Sequence, residues 1–393
     1  MKRIELLAPA GDLDKLKLAL LYGADACYIG GKEFSLRSHA SNFSLSDIKK
    51  ACDFAHALHK KIHVTCNIVM HNKNAKHIKE YLLELEKCGV DAIITSSLTM
   101  LEIATKYTNL EVHMSTQLSS LNESAIDFFY KHHAKRVVLA RECSLDDIKD
   151  IKKMAKTEIE VFIHGGMCSS YSGKCMLSNI MTGRDANRGG CAHSCRWKYF
   201  LYDKENKVTD EYFSMSSKDL CALKSIPALI DMGVDSLKIE GRMKSYNYLC
   251  AIISSYRMII DDYYAHKPLD YQKYETMIGY GENRVTGHGF LYGNVTVNEQ
   301  LFVLNDKFEK AGDFIGIVRE IKEDNEVILE VKNKIIKGEE YLCFSPNSEP
   351  KFVIVNEIKY NNFDYDVYTI AGTLINIKTN LSLKPYDILH VKR

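Results

Sequence analysis

The chain has no run of about eighteen apolar residues, so no segment of its 393 residues reads as a membrane span. It has almost no net charge, +1 at pH 7, which argues against a wholesale polyelectrolyte binder but leaves room for a local basic patch. No signal peptide opens it. With its length, that argues against a disulfide framework and for a cytoplasmic setting where thiols stay reduced. No internal repeat or low-complexity segment is evident. Hydrolytic signatures are missing too: there is no G-x-S-x-G, no H-E-x-x-H and no legible Ser/His/Asp set. A Cys–His pair assembled from distant positions stays open. Hydrophobic residues make up 46 % of the chain, enough for a large globular core.

Cysteine is plentiful, and four of the twelve lie close together. Cys168, Cys175, Cys191 and Cys195 follow a C-x6-C-x15-C-x3-C spacing in a Gly-, Ser- and Arg-rich stretch with no helical or strand periodicity. A chain free to take positive φ can wrap tightly enough for several thiolates to reach one soft metal centre. The remaining eight mostly fall in apolar patterns, where Cys is a small hydrophobe. Zinc sites usually show two short C-x2-4-C pairs, and only C-x3-C is short here. A 4Fe–4S cluster tolerates looser spacing, so it stands first, with structural zinc and coincidence still open. The same stretch carries Arg184, Arg188, Arg196 and Lys198 against one acid, Asp185. That is either a solvated loop face or a phosphate contact.

Over the first 266 residues, short apolar runs alternate with amphipathic stretches. Strands are expected at 5–10, 26–30, 62–67, 92–96, 111–117, 136–141, 160–164 and 236–242, with helices at 45–60, 74–88 and 145–154. Ser44 with Asp47 marks a helix start. Eight such strands within roughly 250 residues suggest a (β/α)8 TIM-like barrel, with a doubly wound open sheet as the alternative. The barrel domain would span 1–270, with the cysteine loop at 165–198 directly after strand seven. A connecting segment would run over 271–299, and a small antiparallel β domain over 300–393. That last domain has a net charge of −2 from residue 301 onward, which lends no support to RNA binding there. Tyr360, Phe363 and Tyr365 read as core.

In a barrel, the chemistry belongs at the C-terminal ends of the strands. Lys238, Glu240 and Arg242 alternate with Leu237 and Ile239, so the charged three should face the barrel interior or its mouth. They form either an internal ion network or an anion site. Asn67, Ser115, Thr116, Gln117, Arg141, Glu142 and His164 fall at similar strand ends and point to a pocket.

The runs LLAPAGDLDKLKLALLYGADACYIGGKEFSLRSHASNFS, STQLS, VVLARE, EVFIHGGMCSSYSGKCMLSNIMTGRDANRGGCAHSCRWKY and SMSSKDLCALKSIPALIDMGVDSLKIEGRMKS resemble the collagenase-like peptidase family, as NRVTGHGFLYG does more loosely. The resemblance spans nearly the whole chain. It implies an enzyme like the bacterial hydroxylases that convert the tRNA wobble uridine to 5-hydroxyuridine with prephenate as co-substrate. A longer relative hydroxylates a ribosomal cytidine. It also implies that Cys168, Cys175, Cys191 and Cys195 ligate an iron–sulfur cluster. A dicarboxylate suits a pocket with Arg37, Arg141, Lys238 and Arg242 at its rim, beside Glu240. Arg184, Arg188, Arg196 and Lys198 would then meet tRNA. Peptidase activity, as the family name has it, is the alternative. Relatives often carry a Gln-Pro pair before the last cysteine, where this chain reads GGCAHSC, so His193 is a local variation. A homo- or hetero-oligomer is compatible with everything in the sequence.

Overall fold

The structure, a computed structural model, describes residues 3–36, 42–208, 210–301, 312–322, 325–346 and 348–392. Eight parallel strands follow one another in chain order: β1 (Glu5–Pro9), β2 (Ala26–Gly30), β3 (Lys61–Cys66), β4 (Ala92–Thr95), β5 (Glu111–Met114), β6 (Arg136–Val138), β7 (Glu158–Gly165) and β8 (Ser236–Ile239). β8 pairs with β7 through Ser236↔Glu160 and with β1 through Ser236↔Glu5, which closes the ring. An open doubly wound sheet has two free edges, so this closure decides for the barrel. Between the strands run α1 (Leu13–Leu21), α2 (Leu45–Ala57), α3 (Ile78–Lys87), α4 (Leu98–Tyr107), α5 (Glu123–Lys131), α6 (Leu145–Met154) and α7 (Ile226–Asp231).

Local chemistry sets these boundaries. Ser44 Oγ accepts from the Asp47 backbone N–H while the Asp47 carboxylate accepts from the Ser44 N–H, as the sequence predicts; Ser144 and Asp147 repeat the arrangement on α6. The helix expected at 74–88 is interrupted. His77, with φ −119°, leaves the helical region and separates a short turn, Asn72–Ala75, from α3. β8 also ends sooner than expected, at Ile239. The ladder shifts register between Lys238 and Ile239, and Gly241 takes φ +148°, so Glu240 and Arg242 lie on the βα connection.

The long loop after β7 carries the cysteines, a short helix (Leu177–Thr182) and a small exposed hairpin (Tyr202–Asp203 with Asn206–Lys207). It returns as Asp219–Cys221, antiparallel to the end of β7 and parallel to Thr286–Gly287.

The molecule divides into two compact units, one of Met1–Leu20, Ala24–Lys244 and Arg284–Phe308, the other of Leu21–Gly23, Ser245–Asn283 and Glu309–Arg393. The second contains α8 (Tyr246–Tyr264) and α9 (Tyr271–Gly281). Sequence reading takes 271–299 as a connecting segment, yet Asp270 caps α9 within it and Tyr274, Met277 and Ile278 bury one face at helical spacing. The unit also holds an antiparallel barrel of β9 (Gly312–Ile321), β10 (Glu326–Val331), β11 (Glu340–Phe344), β12 (Lys351–Tyr360), β13 (Leu374–Thr379) and β14 (Ile388–Lys392). Its order is β11-β14-β9-β10-β13-β12, closed by β12 on β11. Val318, Leu329, Tyr341, Val355 and Ile377 are fully buried inside it. Val367–Tyr368 is a strand of only two residues; Gly372, at φ +82°, turns the chain before β13 begins. Tyr360 and Tyr365 pack on the core as expected, whereas Phe363 is 69 % exposed.

Candidate functional site

The interior of the eight-stranded barrel is unusually ionic. Arg136 on β6 reaches Glu5 on β1 at 2.5 Å, Glu158 at 2.8 Å and Glu160 on β7 at 3.1 Å. Lys238 on β8 binds the other Glu160 oxygen at 2.6 Å. Burial alone would raise the Glu160 carboxyl; the Lys238 and Arg136 charges outweigh it and hold the group below the ordinary carboxylate range. Burial draws Lys238 below the usual lysine range against the pull of Glu160. Two fully buried imidazoles, His63 and His113, stack edge to face 4.8 Å apart beside this network, and burial lowers both. Lys238 therefore faces inward as the alternation predicts, and its charge is engaged by Glu160, a partner that sequence reading did not name. Its ammonium also stands 4.7 Å from the Tyr28 ring centre.

Toward the C-terminal ends of the strands the side chains become hydrogen-bonding rather than ionic. Arg242 is buried and donates to Ser35 Oγ at 3.0 Å and Thr65 Oγ1 at 3.3 Å. It lies so close across β2 that a Cβ on Gly30 would fall 1.8 Å from its Nη1, a close approach that only glycine allows. Asn67 donates to Gln117 Oε1 at 2.8 Å, which also accepts from Ser115 Oγ at 3.0 Å. The Arg141 guanidinium rests 3.9 Å from the centre of the Phe162 ring. The Glu142 carboxylate accepts from the Ser172 N–H at 2.9 Å, tying the rim to the cysteine loop. Arg37 lies outside the described residues. Of the expected strand-end residues, Asn67, Ser115 and Gln117 are hydrogen-bonded to one another.

Cys168 is exposed and Cys175, Cys191 and Cys195 are half-buried; none is in a disulfide. By contrast, burial pushes the Cys143 and Cys343 thiols up to about 12, leaving them protonated and inert. The loop is held by Asn187 donating to Cys175 O at 3.2 Å, Ser214 Oγ donating to Cys195 O at 3.3 Å and Tyr199 OH donating to Ser194 O at 2.7 Å. Gly173, at φ +76°, is wedged against the Gln117 backbone, where a Cβ would come within 2.3 Å of the carbonyl oxygen. Four thiols outside any disulfide, on one irregular loop, are the donor chemistry of a soft metal. Their positions are not those of a closed site: among the described residues, no three His, Cys, Asp or Glu side chains stand together as metal ligands.

The basic residues of the loop divide by role. Arg188 braces the chain, donating to Val69 O and, at 3.2 Å, to Asn74 Oδ1. Arg184 and Lys198 are exposed, and the Lys198 ammonium lies 5.6 Å from the Tyr212 ring centre. Arg196 turns to Asp219, 3.9 Å away. Asp219 is buried, and two cations that sequence reading missed also reach it: Arg284 at 3.1 Å and Lys244 at 3.5 Å. Arg284 also donates to Ser216 Oγ at 2.8 Å and Ser217 O at 3.0 Å. Its one sequence signal was its place in the run NRVTG, beyond the last expected strand. Beside Ser217 a cleft of about 170 Å³ opens between Cys168, Tyr171, Lys218, Phe290 and Glu299.

Residues 11–301 match the model of peptidase family U32, and residues 310–390 match that of the family's C-terminal domain. The chain belongs to peptidase family U32. This U32 chain is 44 % identical over 360 residues to the tRNA hydroxylation protein P1 of Bacillus subtilis (strain 168), covering 88 % of this chain and 85 % of that protein. It is 41 % identical over 260 residues to the 23S rRNA 5-hydroxycytidine C2501 synthase of Escherichia coli (strain K12), covering 66 % of this chain and 39 % of that one. A protein named collagenase from Porphyromonas gingivalis (strain ATCC BAA-308 / W83) is 32 % identical over 274 residues, 66 % of each chain.

Proposed function

We propose that this U32 chain is an RNA-hydroxylating enzyme that converts the wobble uridine of tRNA to 5-hydroxyuridine. The observation that carries this is the 44 % identity, over most of both chains, to a protein named for tRNA hydroxylation; a relative named for rRNA hydroxycytidine synthesis adds to it. In this reading Cys168, Cys175, Cys191 and Cys195 hold a 4Fe–4S cluster, which supplies redox chemistry when bound. Prephenate, a small dicarboxylate, is the co-substrate. The protein's own residues bind and orient: Arg242, fixed by Ser35 and Thr65, and Arg141, stacked on Phe162, present cationic edges at the strand ends. Exposed Arg184 and Lys198 suit phosphate contacts, and a tRNA substrate fits a cytoplasmic enzyme. No helix among the described residues is long and apolar enough to cross a membrane.

The collagenase relative supports a peptidase as the second reading, at lower identity and coverage. Nucleoside mass spectrometry of tRNA from a strain lacking the gene separates the two. Loss of 5-hydroxyuridine, restored by the wild-type gene, supports hydroxylation. Unchanged 5-hydroxyuridine together with cleavage of denatured collagen by the purified protein supports the peptidase.

A further inference from the structure

We infer that the cleft between the start of the cysteine loop and the run NRVTGHGFLYG (283–293) seats one unpaired uracil base of the RNA substrate. The inference rests on the proposed function for the identity of the RNA, and it gives a role to a run which that function leaves unused. Backbone contacts set the walls of this cleft of about 170 Å³. The Lys218 N–H donates to Glu299 O at 3.0 Å and the Leu301 N–H to Ser216 O at 2.7 Å, so 299–301 lies along 216–218. Gly289, at φ +56°, is held against the cysteine loop, where a Cβ would stand 3.2 Å from Met167 Cε. Its N–H donates to Glu299 Oε2 at 2.9 Å. A cleft fixed in this way is formed before its ligand arrives.

The chemistry of the lining selects the occupant. Met167, Tyr171, Phe290 and Val295 offer apolar and aromatic surface. Three polar groups of the lining, the Lys218 ammonium, the Gln300 side-chain amide and Glu299 Oε1, make no hydrogen bond or ion pair among the described residues. The ammonium and the amide supply donors, and the carboxylate oxygen supplies an acceptor. Uracil presents one N–H between two carbonyl oxygens, which is the complement of that set. Aromatic and apolar walls with a few groups that read the base edge are how enzymes hold a base outside its stack, and an unpaired base costs least to place there. Charge argues against a small anion. Glu142 and Glu299 stand against Lys218 in the lining, and that excess of acid repels a dicarboxylate or a phosphate while leaving a neutral ring unaffected. Cys168 borders the same cleft, so a base seated in it lies beside one of the cysteines assigned to the cluster.

The test is photocrosslinking of the full chain, purified anaerobically, to a tRNA transcript carrying 4-thiouridine at the wobble position, with the adduct mapped by mass spectrometry. The expected adduct lies on Met167, Tyr171, Phe290 or Val295. Glu299→Gln keeps an oxygen for the Gly289 N–H but offers a donor where the base N–H needs an acceptor. It should lower the adduct yield about tenfold, the scale of a charge-assisted hydrogen bond, with melting temperature unchanged and tRNA affinity within about twofold of wild type. Phe290→Ala should lower the yield by about the same factor through lost stacking. An adduct outside 167–171, 217–218 and 289–300 overturns the seat, as does the absence of any adduct. Undiminished yield in both variants overturns it as well. Should Phe290→Ala fail to fold, Glu299→Gln decides. Nucleoside analysis of the deletion strain keeps the two ideas apart. Loss of 5-hydroxyuridine with the adduct elsewhere sinks the seat alone. Unchanged 5-hydroxyuridine with an adduct in the cleft sinks the proposed function alone.

Discussion

Replacing Lys238 with Met tests whether the charged strand of the barrel is a brace or a ligand site. In the folded protein Glu160 is fully buried, with one oxygen 2.6 Å from Lys238 and the other 3.1 Å from Arg136. Remove the lysine, and Arg136, already engaged by Glu5 and Glu158, is the cation left against Glu160. Breaking a buried pair in this way costs about 3–5 kcal/mol. The pH dependence adds a signature. In the wild type the Glu160 carboxyl sits below its unfolded value, so its contribution is present above that value and lost as acid protonates it. In the variant, burial without Lys238 pushes the carboxyl above its unfolded value. The sign then reverses: its contribution is largest below the unfolded value and fades as pH rises through the raised one. K238M should therefore be far less stable than wild type at pH 7 and recover part of the difference near pH 5. K238M/E160M, which removes both charges, should regain most of the stability. Urea unfolding followed by circular dichroism, using the transition assigned to the barrel, measures all three proteins. A K238M barrel within about 1 kcal/mol of wild type at pH 7 would refute the brace and return Lys238 to the ligand.

Serine at any one of Cys168, Cys175, Cys191 or Cys195 should bleach anaerobically purified protein and strip its iron, read by absorbance and iron analysis, whereas Cys343→Ser should not; colourless wild type with one zinc would overturn the cluster. The double variant Arg184→Gln/Lys198→Gln should lower tRNA affinity and reduce the slope of log affinity against log salt by about 1.8 if both contact phosphates, measured by filter binding at several chloride concentrations. Arg188→Gln should instead loosen the loop, seen as faster proteolysis there, because that side chain holds Val69 O and Asn74. Gly30→Ala should displace the Arg242 guanidinium and cost about 1–3 kcal/mol, with hydroxylation lost in the refolded fraction; wild-type activity and melting temperature would show that the arginine can lie elsewhere.

The barrel was legible because each of its strands is short, apolar and followed by an amphipathic stretch, a pattern with few solutions once eight repeats are counted. The place of the cysteines was legible in the same way, since Cys168 follows the seventh strand directly. What escaped reading is what depends on pairing at a distance. Glu160 looked like an ordinary strand residue, and only the ring closure brings it to Lys238 and Arg136. Asp219, Lys244 and Arg284 are spread over 66 residues, and no periodicity links them. Helix α9 was passed over because its tyrosines and glycines have weak helix propensity, although its buried positions keep helical spacing. Arg188 sat in a basic stretch whose charge suggested phosphate, and its backbone contact could be known only from the fold.

The ionic floor of the barrel also settles the direction of traffic. Glu5, His63, His113, Arg136 and Glu160 pack the end where the strands begin, which leaves the βα loops at the other end as the side from which a small molecule would enter. A small molecule bound at that end would leave by the way it came. Should a macromolecule settle over the same opening, whatever lies beneath is sealed in and latecomers are shut out. The order of arrival would then be fixed by plumbing rather than affinity: the small reactant first, the large one after it. Such a machine stalls when its lid is oversupplied, and excess RNA should slow turnover most when the small reactant is scarce.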